Sequence, residues 1–177
     1  MIAHLTGRVS LKDATSCVLD VGGVGMRLFM STGSLSQLPA VGDEVTVFTH
    51  LHVREDELSL FGFESAEERE LFEKLITVSG VGPRVALAAL SVFAPAALIE
   101  AIVREDDGLV ATIPGVGRKT AQRLIIELKD KVGGVGVDLR PHVSGGASAE
   151  VREALAGMGF GAAEIAVALK GFDGPDE

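Results

Sequence analysis

At Glu64 the chain changes period, and that change constrains its possible folds more than any other feature. Before it, residues 2–10, 16–21, 26–30, 44–53 and 58–63 are rich in β-branched and large apolar side chains, the composition of strands. Turn signals separate them: Val21-Gly-Gly-Val-Gly25, Leu38-Pro-Ala-Val-Gly-Asp43 and Arg54-Glu-Asp-Glu57. Five short strands in about 60 residues predict a small antiparallel barrel of the OB type. After it the period is helical. Ser65-Ala-Glu-Glu68 reads as a capping box, and Leu71, Phe72, Leu75, Ile76 and Val78 form an apolar stripe. Short helices are expected at about 83–92, 95–104 and 118–131, with Pro95 suited to a first helical position.

Residues 132–147 carry five glycines, one proline and no apolar period. They read as a flexible tether spanning roughly 20–24 Å. Residues 148–170 read as two short helices around Met158-Gly-Phe160-Gly, a third and very small unit. The expected fold is therefore multi-domain α+β: barrel 1–63, helical domain 64–131, linker 132–147 and small helical domain 148–177. Units of this size bury only ~60% of their unfolded surface and gain from oligomerisation.

Composition excludes several function classes. No apolar run approaches the ~18 residues that cross a bilayer, and the N-terminus lacks a signal peptide's basic region and apolar core. A soluble cytoplasmic protein without membrane partners is expected. A single cysteine, Cys17, excludes an internal disulfide framework and any multi-cysteine metal site; it reads as a buried strand thiol. His50 and His52 share one face of a strand without a third metal ligand at suitable spacing, so they read as ordinary strand histidines. No nucleophilic triad and no Gly-Lys-Ser/Thr nucleotide loop is present, and no metal or other cofactor is expected.

The tripeptide Gly-Val-Gly occurs at 23–25, 80–82, 115–117 and 134–136. The first is a hairpin connection and the last belongs to the tether. The middle two belong to a longer repeat: Val78-Ser-Gly-Val-Gly-Pro-Arg-Val-Ala-Leu-Ala-Ala-Leu90 aligns with Ile113-Pro-Gly-Val-Gly-Arg-Lys-Thr-Ala-Gln-Arg-Leu-Ile125 at a 35-residue offset. Glycines at Gly80, Gly82, Gly115 and Gly117 permit unusual backbone angles and close approach of a ligand. The helix start that follows offers unpaired N–H groups and the positive end of the dipole to an anion. Arg84, Arg118 and Lys119 add full charges. A dinucleotide-binding fingerprint is excluded because no strand precedes either copy and the third glycine position is Val85 or Thr120. The pattern resembles the helix-hairpin-helix motif, which grips nucleic-acid backbone without reading bases.

The formal net charge of −9 opposes a phosphate partner until it is divided by region. Residues 64–131 hold 9 of the 16 basic side chains against 11 of the 25 acidic ones. The acid of 64–73 and 105–107 can form other faces, leaving a local basic face, and the field at a groove depends on distribution. Arg54-Glu55-Asp56-Glu57 between two strands reads either as a solvated hairpin tip that discourages edge pairing or as an acidic wedge repelling phosphates.

Taken in order, Met1-Ile2, Val21-Gly-Gly-Val-Gly25, Phe48-Thr-His50, Val53-Arg-Glu-Asp56, Phe61-Gly-Phe63, Gly80-Val-Gly-Pro83, Ile113-Pro-Gly-Val-Gly-Arg-Lys-Thr-Ala121 and Leu128-Lys-Asp130 resemble the RuvA family over nearly the whole chain. That family binds Holliday junctions in bacterial branch migration. The resemblance implies a three-domain subunit that forms a homotetramer, or an octamer of two stacked tetramers, on four-way junction DNA. It implies that Glu55 and Asp56 match the acidic pin at the junction centre. It also implies that Gly80, Gly82, Arg84, Gly115, Gly117, Arg118, Lys119 and Arg123 match or replace the DNA-contacting hairpin positions. The implied partners are a RuvB-type hexameric ATPase, docked through the stretch holding Leu155, Met158 and Phe160, and a RuvC-type junction resolvase as a further candidate. The subunit itself is expected to be non-catalytic. Family members have a third helix in the last domain, whereas this sequence ends at Gly171-Phe-Asp-Gly-Pro-Asp-Glu177, either a truncated chain or an abbreviated domain.

Two other readings compete. A base-excision glycosylase or lyase has a similar hairpin, in which Lys119 would be the nucleophile and Asp138, 21 residues after Gly117, the aspartate. It needs helices on both sides of that hairpin. A single-strand-binding OB module stacks bases on aromatic residues, and this chain has neither Trp nor Tyr.

Overall fold

The computed structural model describes residues 2–132. The expected linker, the small C-terminal domain and Leu155, Met158 and Phe160 lie outside them. Five strands form a closed barrel: β1 (His4–Lys12), β2 (Ser16–Val21), β3 (Val24–Met30), β4 (Glu44–Val53) and β5 (Leu58–Phe63). Their order is β1-β2-β3-β5-β4, with β4 closing on β1. All pairings are antiparallel except β3 with β5, where Phe29 faces Phe61 and Met30 faces Gly62. Closure removes the free edges that a small sheet would expose.

Three strand boundaries are as expected, while β1 runs two residues later at each end and β3 begins at Val24. The first Gly-Val-Gly is not itself the turn. Gly22 and Gly23, at φ 62° and 89°, make the two-residue connection, and Gly25 pairs with Asp20 inside β3. The β1–β2 turn is held by Asp13, whose carboxylate accepts from the Thr15 and Ser16 N–H groups at 2.8 Å each. The Thr15 N–H bond, and then the Ser16 hydroxyl donating to the other carboxylate oxygen at 2.7 Å, are the main causes that lower its pKa to about 2.

Helix α1 (Thr32–Gln37) connects β3 to β4 and has no counterpart in the sequence reading. The barrel core contains Val9, Cys17, Leu19, Leu28, Met30, Val47 and Leu60. Cys17 is fully buried, as expected, and burial pushes its thiol up to about 11.

The helical layer comprises α2 (Ala66–Leu75), α3 (Pro83–Val92), α4 (Pro95–Val103), the four-residue α5 (Asp107–Val110) and α6 (Arg118–Val132). Pro83 and Pro95 each occupy the first turn of their helix. The α4 terminus uses no glycine. Glu105 takes φ 57°, and bonds from Glu105 N to Ile102 O and from Asp106 N to Ala101 O close a Schellman motif. Among the described residues no single helix is long and apolar enough to cross a membrane; α3 and α4, apolar in sequence, meet at 99° and face the helical core.

β5 joins the two layers. Phe61 and Phe63 belong to the helical core, whereas Leu60 belongs to the barrel core. Phe72 of α2 is fully buried between them, 5.1 Å from the Phe61 ring and 4.9 Å from that of Phe63. The His50 ring meets Phe72 edge-on at 5.5 Å, and its Nδ1 lies 3.0 Å from Glu73 Oε1. His50 thus packs at this joint, and among the described residues no cluster of metal-ligating side chains occurs.

Candidate nucleic-acid interface

The repeat seen in the sequence is a repeat of structure and begins earlier than the glycines. In both copies a threonine hydroxyl donates to the carbonyl three residues back, Thr77 to Lys74 and Thr112 to Leu109, each at 2.7 Å. In both, the next residue's N–H bonds to a buried helix-end residue, Val78 to Leu75 O and Ile113 to Val110 O. A tight turn follows, closed by Val81 N to Val78 O at 3.0 Å and by Val116 N to Ile113 O at 2.9 Å.

The glycine at the third position has φ 90° in Gly80 and 85° in Gly115. That is the type II pattern, which requires positive φ there and favours proline one residue earlier, as at Pro114. Val78, Val81, Ile113 and Val116 are all buried and anchor the turns.

The second glycines differ from the expectation. Neither Gly82, at φ −88°, nor Gly117 needs a left-handed backbone. Each starts a helix, accepting the first helical bond from Ala86 N at 3.0 Å or Ala121 N at 2.9 Å. A side chain added at either position would meet nothing within 4 Å. The missing side chains therefore leave open space in front of a helix start. α3 begins with Pro83, which has no N–H, and without any side-chain cap, so the Arg84 and Val85 N–H groups have no helical partner and offer the positive end of the dipole.

The two turns are neighbours. A Cβ added at Gly115 would stand 3.4 Å from Val85 in the first turn of α3. Arg123 of α6 donates to Ser79 O of the first turn at 3.3 Å. Arg123 thus braces one hairpin against the other in addition to any external contact.

Arg84, Arg118 and Lys119 are exposed at the starts of their helices. Arg118 is 3.4 Å from Asp107, which also accepts from Gln122 Nε2 at 3.2 Å. The acid of residues 105–107 was expected on another face. Instead Asp107 adjoins the second hairpin, and Glu105 pairs with Lys129, whose hydrogen bond and charge hold its carboxyl below the usual range. Asp107, and the Thr77/Thr112 pair, were missed by sequence reasoning; the Thr-apolar-x-Gly spacing common to both copies is the signal that could have found the threonines.

At the barrel, residues 54–57 form the β4–β5 turn, closed by Arg54 N to Glu57 O at 2.8 Å. Arg54 bonds His52 and Glu57 accepts from Ser59. Glu55 and Asp56 are exposed and take part in none of these bonds. The flanking Val53 and Leu58 are 62% and 73% exposed, so the tip projects from the barrel surface.

Known families match along the described chain. "RuvA N terminal domain" matches residues 1–62, and "SAM-like Helix-hairpin-helix tandem" matches residues 72–130. Proteins named Holliday junction branch migration complex subunit RuvA resemble the chain over almost its full length. The Thermobifida fusca protein is 46% identical over 188 residues, covering 99% of this chain and 93% of its own. That of Symbiobacterium thermophilum is 46% identical over 178 residues, covering 96% and 87%. That of Magnetococcus marinus is 42% identical over 178 residues, covering 96% and 87%.

Proposed function

The chain belongs to the RuvA family, and from that membership we propose that it is the DNA-binding subunit of a branch-migration complex. It holds four-way junctions and presents them to an ATP-driven motor of the RuvB type. The observation that carries this reading is the pair of matching turns, each followed by a glycine with open space beside it, a helix start and exposed cations. In this reading the N–H groups after Gly82 and Gly117, with Arg84, Arg118 and Lys119, take backbone phosphates. Such contacts fix position and carry no base information, so the grip is blind to sequence. Four copies around one crossover multiply weak grips through effective concentration. The same proposal assigns motor docking to 148–177, with Leu155, Met158 and Phe160, and treats 132–147 as the tether.

Glu55 and Asp56 act in the opposite sense. Carboxylates on a projecting tip repel phosphates, which keeps strands apart at the crossover and prevents linear duplex from lying across the barrel. Glu55→Gln with Asp56→Asn is expected to strengthen linear-duplex binding and lower junction selectivity in a gel-shift titration. Weaker binding to both DNAs would mean that the acids serve the turn alone.

Asp107 is a brake on the second hairpin, since it competes with phosphate for Arg118. Asp107→Asn is expected to tighten DNA binding about two- to fivefold, the equivalent of one exposed ion pair; unchanged affinity would separate Arg118 from the grip.

The role is non-catalytic. Helices α2–α5 do precede the Lys119 hairpin, but the N-terminal third of the chain is a closed barrel and not a further set of helices that would complete a glycosylase base pocket. A gel-shift comparison of four-way junction, duplex and single strand at several protein concentrations tests the reading, and strand nicking of abasic duplex that disappears in Lys119→Ala would sink it.

A further inference from the structure

A cleft of about 460 Å³ separates the barrel from α3. Phe29, Met30 and Phe61 line it from the barrel, and Leu87 and Ala88 line it from the helix. Glu57 of the acidic tip and Arg84 of the first hairpin also line it. Phe61, with Phe29, Leu87 and Ala88 packed against its cluster, belongs to the helical core, so apolar packing ties the barrel to α3, and a second feature adds a directed polar tie.

That feature is a set of polar bonds at Ser31, Thr32 and Ser91. The Thr32 N–H donates to Ser91 Oγ at 3.1 Å, and the Ser91 hydroxyl donates to Leu87 O at 2.8 Å within α3. Beside it lies Glu68, a carboxylate only 5% exposed. It accepts from Ser31 Oγ at 2.9 Å, Ser34 Oγ at 2.5 Å and Glu64 N at 3.0 Å. Ser31 Oγ in turn caps α1 through Ser34 N, and Ser65 caps α2 through Glu68 N. One buried acid thus joins the N-termini of α1 and α2, while α1 is tied to α3.

The placement matters because both ends lead to the proposed DNA-contacting parts. Ser31 follows Met30, whose partner on β5 is Gly62. From Gly62 the strand runs back to the tip at Leu58, about 13 Å at strand rise. From Ser91, α3 runs back to Arg84, about 10 Å at helical rise. A small rotation at the brace is carried along both levers to the tip and to the hairpin.

We propose that this brace sets the separation between the acidic tip and the first hairpin, with Glu68 and Ser91 as positioning residues for junction selectivity. The inference rests on the function proposed above. A buried carboxylate is costly unless hydrogen-bonded, and the three donors make this one a defined joint. Its loss leaves each hairpin's own turn intact, because those bonds lie within 74–86 and 109–121.

The test is the ratio of dissociation constants for linear duplex and four-way junction, measured for wild type, Glu68→Gln and Ser91→Ala with active fractions titrated. In both variants the ratio is expected to fall at least about fivefold, the low end of couplings between sites, with duplex affinity within about twofold of wild type. Ser91 is exposed, so Ser91→Ala carries the test if Glu68→Gln does not fold. An unchanged ratio in a folded variant, or equal weakening toward both DNAs, would overturn the brace and leave a purely structural role. Absence of junction preference in the wild type would overturn the proposed function first, and the brace with it.

Discussion

Arg84→Ala combined with Lys119→Ala is expected to weaken four-way junction binding on the order of 10- to 100-fold at 0.1 M salt and to flatten its salt dependence. Each phosphate neutralised releases condensed counterions and contributes about 0.9 to the slope of log K against log salt. Two cations removed from the paired hairpins should therefore lower that slope by about 1.8 for each engaged protomer. Both side chains are exposed at helix starts, so their loss leaves the buried anchors Val78, Val81, Ile113 and Val116 in place. Thermal stability should stay near wild type while affinity falls. A lower affinity with an unchanged slope would show that the phosphates are held by other groups.

Phe72→Ala carries the second large effect, on stability. The ring is fully buried and touches Phe61 and Phe63 from the barrel side and the His50 ring edge-on. Truncating a buried phenylalanine costs about 3–5 kcal/mol, from lost transfer energy and the cavity left behind. That is a large share of the 5–15 kcal/mol typical of a whole domain. Urea unfolding of the full chain should show the loss as a shifted midpoint. A change below about 1 kcal/mol would contradict a joint packed around this ring.

Much of this architecture is legible in residue order, for physical reasons that also explain the gaps. β-branched runs bounded by glycine and acidic turns declare strands, and a period change at a capping serine declares the helical layer. α1 is not declared, because six residues cannot show a helical period. Its N-terminus is stabilised by Glu68, 37 residues after Ser31, a partner no local pattern reveals. The same residue alters the capping box: Ser65 caps Glu68 N as expected, but the Glu68 carboxylate turns to α1 and to Glu64 N. α5, only four residues from Asp107 to Val110, is likewise too short to show a period and starts within the acidic run 105–107.

At the candidate site the glycines, the cations and the 35-residue repeat are visible in the sequence. What the glycines do is visible only in part. Gly80 and Gly115 are needed for their backbone angles, whereas at Gly82 and Gly117 a side chain would meet nothing in the chain itself and would obstruct only the proposed phosphate. The links between the copies, Arg123 to Ser79 and Gly115 against Val85, are tertiary and leave no local trace. Asp107 is misread for the same reason, since its proximity to Arg118 depends on how α5 meets α6.

The function proposed for this protein is a sequence-blind grip on junction backbone, opposed at its centre by an acidic tip. Competition binding tests it most directly, using two four-way junctions of unrelated sequence, linear duplex of the same composition and single strands as competitors. Both junctions are expected to displace labelled junction equally well, with duplex competing weakly and single strands least. A marked difference between the two junctions, or single strands outcompeting both, would contradict it.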